Sequence, residues 1–161
     1  MKNLAKLFGI IAFVALIGFS MIACDNGTTG GGLNGTWREP SGDRIVFSNG
    51  SFTMIDNNVE AYKGTYRTSG NNITLTLTQA KGSRIGPASA GISQNSWYNE
   101  SQLRQAMINY YISQGATQTQ AATTADNWLA TSSNPFRNPL TYTYQLDGNT
   151  LILDGETYYR Q

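Results

Sequence analysis

The chain has 161 residues and a formal net charge of +1, with 11 lysines and arginines set against 10 acidic residues, and charged side chains make up only 13% of it. A surface so weakly charged offers no basic stripe to a polyanion, so nucleic acid is not an expected partner. With no histidine and a single cysteine, the chain also lacks the residues for cysteine-histidine zinc sites, Ser-His-Asp triads and internal disulfides.

The chain starts with the pattern of an export signal. Lys2 and Lys6 supply a positive n-region, Leu7 to Phe19 form an apolar h-region, and Met21, Ile22 and Ala23 lead into Cys24, the only cysteine. The apolar run is short for a membrane span. Residues Asp25 to Gly32 carry no apolar side chain and four glycines, the composition of a flexible tether with a root-mean-square reach of roughly 15 Å.

The stretch Met21 to Cys24 resembles a bacterial lipobox, with methionine in the usual leucine place. That resemblance implies cleavage before Cys24, diacylglycerol on its sulfur, and anchoring through the lipid. Each buried methylene contributes about 0.8 kcal/mol, and stable attachment needs two chains, which diacylation supplies. The expected address is the bacterial cell envelope, extracytoplasmic, in the inner or the outer membrane. The expected division is a signal peptide at 1–23, lipidated cysteine and tether at 24–32, and one domain at 33–161.

From Leu33 onward apolar residues recur at every second position between turn signals, the mark of half-buried antiparallel strands. Eight are expected: Gly35 to Arg38, Arg44 to Ser48, Ser51 to Asp56, Glu60 to Thr68, Asn72 to Thr78, Leu140 to Leu146, Thr150 to Asp154 and Glu156 to Arg160. Their inward residues include Ile45, Phe47, Phe52, Met54, Tyr62, Tyr66, Ile73, Leu75, Leu77, Tyr142, Tyr144, Leu151, Leu153 and Tyr158. Asn49-Gly50 is a two-residue hairpin signal, because both residues tolerate positive φ. Asp43, Asp56, Glu60, Asp147, Asp154 and Glu156 fall mostly in or beside turns, where carboxylates cap backbone groups. The reading is therefore of a protein that is not an enzyme, with no catalytic residue, no cofactor and no metal site.

Between the fifth and sixth strands lies an insert at 79–138, too long for a plain loop. Lys81 to Gln94 shows no periodicity. Asn99 to Gln114 reads as a helix with Leu103, Met107, Tyr110 and Tyr111 on one face, opened by Asn99 and Gln102 as a capping pair and ended by Gly115. Thr117 to Thr131 reads as a second helix, with Ala121, Ala125, Trp128 and Leu129 as its stripe and Asn134-Pro135 beyond its end. Together they make a helical hairpin.

The opening Leu33-Asn34-Gly35-Thr36-Trp37 resembles the Gly-x-Trp start of lipocalins, and the later strand-turn-strand units at Gly70 to Leu75 and Gly148 to Leu151 look like the hairpins of bacterial lipocalin-like lipoproteins. The resemblance covers residues 33–78 and 140–160. It implies a mainly β fold, an antiparallel up-and-down eight-stranded lipocalin-like barrel interrupted by the helical-hairpin insertion, with Gly35 and Trp37 at the closed end. An eight-stranded barrel can hold side chains or one small ligand. The expected function is binding of a small apolar or aromatic ligand in or at the mouth of the barrel, with Trp97, Tyr98, Tyr110, Tyr111 and Trp128 as contact residues. The alternative is a surface interaction protein, such as an adhesin, an inhibitor or an envelope-assembly factor, that meets a protein partner through the insert.

Overall fold

The computed structural model of the chain describes residues 32–85, 92–131 and 134–161. The segment read as export signal and tether, with Cys24, lies outside the described residues apart from Gly32. Among the described residues no helix is long and apolar enough to cross a membrane.

Among the described residues nine strands build one antiparallel sheet: β1 (Gly35–Arg38), β2 (Arg44–Ser48), β3 (Ser51–Asp56), β4 (Val59–Ser69), β5 (Asn72–Lys81), β6 (Trp97–Tyr98), β7 (Leu140–Asp147), β8 (Thr150–Leu153) and β9 (Glu156–Arg160). Their order is β4-β3-β2-β1-β9-β8-β7-β5-β6, and β4 also pairs with β5. That additional pairing closes eight of the nine strands into a barrel and leaves only β6 outside it. Sequential antiparallel neighbours joined by tight turns make this an up-and-down barrel, an architecture that fits a lipocalin-like fold. The seam is narrowest at β1 and β9, where Trp37 faces Arg160 and Arg38 faces Tyr159.

Local chemistry sets the turns. Asn49 and Gly50 both take positive φ, 47° and 80°, and so do Asn57 and Asn58 at 50° and 63°, which matches the twist of the strands they connect. Two bulges interrupt the ladders. Between Met54 and Ile55 the register of β3 on β4 shifts past Ala61, and between Lys63 and Gly64 the register of β4 on β5 shifts past Thr78.

The insert holds α1 (Gly82–Ile85), α2 (Glu100–Ser113) and α3 (Gln118–Leu129). Both long helices open with complete capping boxes: Asn99 with Gln102, and Thr117 with Gln120. The helical hairpin stands where the spacing places it, with three differences. First, β5 runs to Lys81, so the insert begins at Gly82 and not at Gln79. Second, Trp97 and Tyr98 form a ninth strand on the edge of β5, pairing Tyr98 with Ala80 and Trp97 with Lys81. Third, the buried face of α2 is Leu103, Met107 and Ile108, while Tyr110 is only half-buried.

Two cores result. The first fills the barrel with Trp37, Ile45, Phe47, Phe52, Tyr66, Ile73, Leu75, Leu151 and Tyr158 among others. The second joins the inner faces of α2 and α3 to Ala61, Tyr62 and Ala80 at the far ends of β4 and β5. Met54 and Leu77 touch both cores, so apolar packing is continuous from barrel to insert.

Candidate functional site

The two ends of the barrel differ. At one end the chain enters through Leu33 and Trp37, both buried. The Trp37 indole N–H donates to the Leu33 carbonyl at 2.7 Å, which satisfies the only polar atom of a fully buried ring. The Arg160 guanidinium lies 4.4 Å from the centre of that ring and donates to the carbonyls of Asn34 at 2.9 Å and Gly32 at 2.7 Å. A methyl group on Gly35 would stand 3.1 Å from the same guanidinium, and its φ of +137° suits glycine alone. Gly35 and Trp37 thus belong to one plug, clamped by the last strand.

Strand direction puts the 39–43 turn, the 57–58 turn, the 154–155 turn and the whole insert at the opposite end. The helices cover only one side of it, through Met54, Ala61, Tyr62, Leu77 and Ala80 on β3, β4 and β5. Arg84 of α1 ties this side down with an ion pair to Asp56 at 2.8 Å. Strand β5 pairs with β7 only from Asn72 to Leu75, and β6 takes the same edge at Ala80, so between them that edge of β5 has no strand against it among the described residues, while β4 pairs with the other edge. Beside that gap the inward side chains are half-buried rather than sealed: Leu77, Leu140 and Tyr142. This is the mouth.

Across the mouth from the helices, strand alternation turns acidic groups inward. Trp37 and Ile45 face the core, so Glu39 and Asp43 two positions beyond them share that face at the rim. Glu156 pairs with inward Leu153, and the Asp154 N–H donates to the Thr143 carbonyl at 2.8 Å, next to Tyr142. None of these four carboxylates has an ion pair among the described residues, although Asp43 accepts from the Asn57 N–H at 3.1 Å. Burial pushes the Tyr158 hydroxyl well above the ordinary tyrosine range, and the negative charges of Glu39, Glu156 and Asp43 push in the same direction. Tyr142 is raised by burial and then by Asp154.

The five aromatic residues expected to make contacts do not converge. Tyr98, Tyr111 and Trp128 pack into the core of the insert, and the Tyr98 hydroxyl accepts from the Ser93 N–H at 3.0 Å. Tyr110 stacks edge to face on Tyr111 at 5.5 Å. Trp97 lies on the outer face, with the ammonium groups of Lys63 and Lys81 at 4.4 and 5.0 Å from its ring centre. The residues that do converge, Tyr142, Tyr158, Glu39, Asp43 and Glu156, were legible in part. Counting by twos from Trp37 reaches Glu39, while Asp43 caps the Asn57 N–H as a carboxylate beside a turn is expected to.

No protein-family model matches the chain, and no curated protein matches it. Among solved structures it is similar to an uncharacterized protein from Bacteroides eggerthii DSM 20697, at 14% identity and a TM-score of 0.36, over 80% of this chain and 96% of that one.

Proposed function

We propose that the protein is an extracytoplasmic binding module of the bacterial cell envelope, held to the membrane by lipid on Cys24, that takes a small ligand with an apolar or aromatic body into the mouth of its barrel. One observation carries the binding reading: the barrel is plugged at the Trp37 end, while at the other its inward apolar side chains stay half-buried beside a helical insert that covers one side only. Inward apolar side chains left half-buried at one end of a barrel, with a few polar groups at the edge, match the usual lining of a small-molecule pocket. The insert then acts as a partial lid. The lipid-anchor part rests on the n-region, the h-region and the lipobox-like run into Cys24.

Both parts are tested on the protein purified from cells that export it. Native and denaturing mass spectra taken side by side should differ by a ligand mass lost on denaturation, and the denatured mass should begin at an acylated Cys24. A bare native mass moves the function to the insert as a protein-contact surface. A mass that still contains Met1 and an unmodified thiol removes the anchor.

A further inference from the structure

The entry of the chain into the barrel is fixed at the plugged end. Gly32 lies against Leu146, where an added methyl would stand 2.8 Å from Cδ2, and its carbonyl accepts from the Arg160 guanidinium at 2.7 Å. One residue on, the Leu33 carbonyl accepts from the Trp37 indole at 2.7 Å. Strand direction places the turns Asn49-Gly50, Gly70-Asn71 and Gly148-Asn149 at this same end. None of those six residues is charged, and the exposed charges nearest to them along the chain, Arg67 and Asp147, have opposite signs. The turns at the other end carry Glu39, Asp43 and Asp154, and the insert stands there.

Length decides which end can meet a bilayer. Cys24 precedes Gly32 by eight residues, so whatever path the chain takes between them it spans at most ~28 Å, and its composition gives a typical reach of roughly 15 Å. Strand β5 has 10 residues, which at ~3.3 Å per residue and a tilt of ~40° is ~25 Å along the barrel axis. With the mouth on the bilayer, the clamp at Gly32 would stand at least that far from it. The tether would then have to run back along the barrel wall pulled nearly straight, at a cost in chain entropy. With the plugged end on the bilayer no stretching is needed. Resting on the lipid-anchor reading above, we propose that the plugged end, with its uncharged turns, is the face the protein sets against the bilayer that holds Cys24, and that the mouth and the insert point into the aqueous compartment. The mouth then takes its ligand from water and not directly from the lipid.

The test places one donor dye at either end of β5 in the full, acylated chain. With the Cys24 sulfur held by lipid, Asn71→Cys and Ser83→Cys each supply a single thiol at an exposed position, and the acceptor dye sits on the headgroups of phosphatidylcholine vesicles. Because the two positions differ by roughly 25 Å along the barrel axis, energy transfer from position 71 should be at least about twofold more efficient than from position 83. Asn149→Cys, at another turn of the plugged end, should behave as Asn71→Cys does. Equal transfer from both ends, or more from position 83, on a chain whose mass shows the acyl groups overturns the orientation and leaves the anchor standing. A chain whose mass shows no acyl group overturns both, and that is known before any vesicle is made.

Discussion

A methyl group added at Gly64 would stand 2.1 Å from the Thr76 carbonyl oxygen and 2.7 Å from the Phe52 ring. Neither neighbour can move cheaply, because the carbonyl belongs to the β4–β5 ladder and Phe52 is buried in the barrel core. Gly64→Ala should therefore cost about 3 kcal/mol, at the upper end of overpacking effects. Gly42 makes the contrast. Its φ is +109° but nothing lies within 4 Å of its added methyl, so Gly42→Ala carries only backbone strain of roughly 1 kcal/mol. Urea midpoints of the two variants should separate accordingly, and a Gly42→Ala loss as large as that of Gly64→Ala would refute the assignment of the Gly64 cost to sterics.

At the level of elements, Asn134 holds the insert shut. Buried at the return of the chain, its amide donates to the Glu100 carboxylate at 2.7 Å and the Leu129 carbonyl at 2.9 Å, and its oxygen accepts from the Phe136 N–H at 3.0 Å. One side chain thus joins the start of α2, the end of α3 and the segment leading to β7. Asn134→Ala should cost about 2 kcal/mol, since it strands buried partners. The loss should be local: hydrogen exchange should speed up in α2 and α3 while β1 to β3 keep their protection, and uniform acceleration across the barrel would show that the insert is not a separate unit. The same elements show what the sequence could disclose. Hairpins at Asn49-Gly50 and Asp154-Gly155 and the capping pair Asn99 with Gln102 are local, so residue types within four positions determine them. Strand β6 is not, because two residues become a strand only where Ala80 and Lys81 offer them an edge. The bulges at Ala61 and Thr78 likewise depend on the partner strand, and they change which side chains line the mouth. The inward acidic rim was obscured for a similar reason, since Glu39 and Asp43 become neighbours of Tyr158 only when β9 closes on β1.

For the molecule as a whole, closure of the barrel ties its stability to alkaline pH. Burial raises the hydroxyls of Tyr62, Tyr142 and Tyr158 above the value of 10.0 that free tyrosine shows. The native state thus keeps these protons after the unfolded chain has begun to release its own, and above about pH 10 unfolding releases protons. The sign follows directly: with fewer protons bound in the unfolded state, stability is full below pH 10 and falls as pH rises, at about 1.4 kcal/mol per pH unit for each such tyrosine. Phenolate absorbance and far-ultraviolet circular dichroism followed together should then show these tyrosines ionising with loss of the β signal. Ionisation with the β signal intact would mean that water reaches all three hydroxyls in the native fold. Tyr158→Phe discriminates further. It keeps the buried ring and removes one raised hydroxyl, so the midpoint of alkaline unfolding should move to higher pH because one ionisable group no longer pulls on the equilibrium.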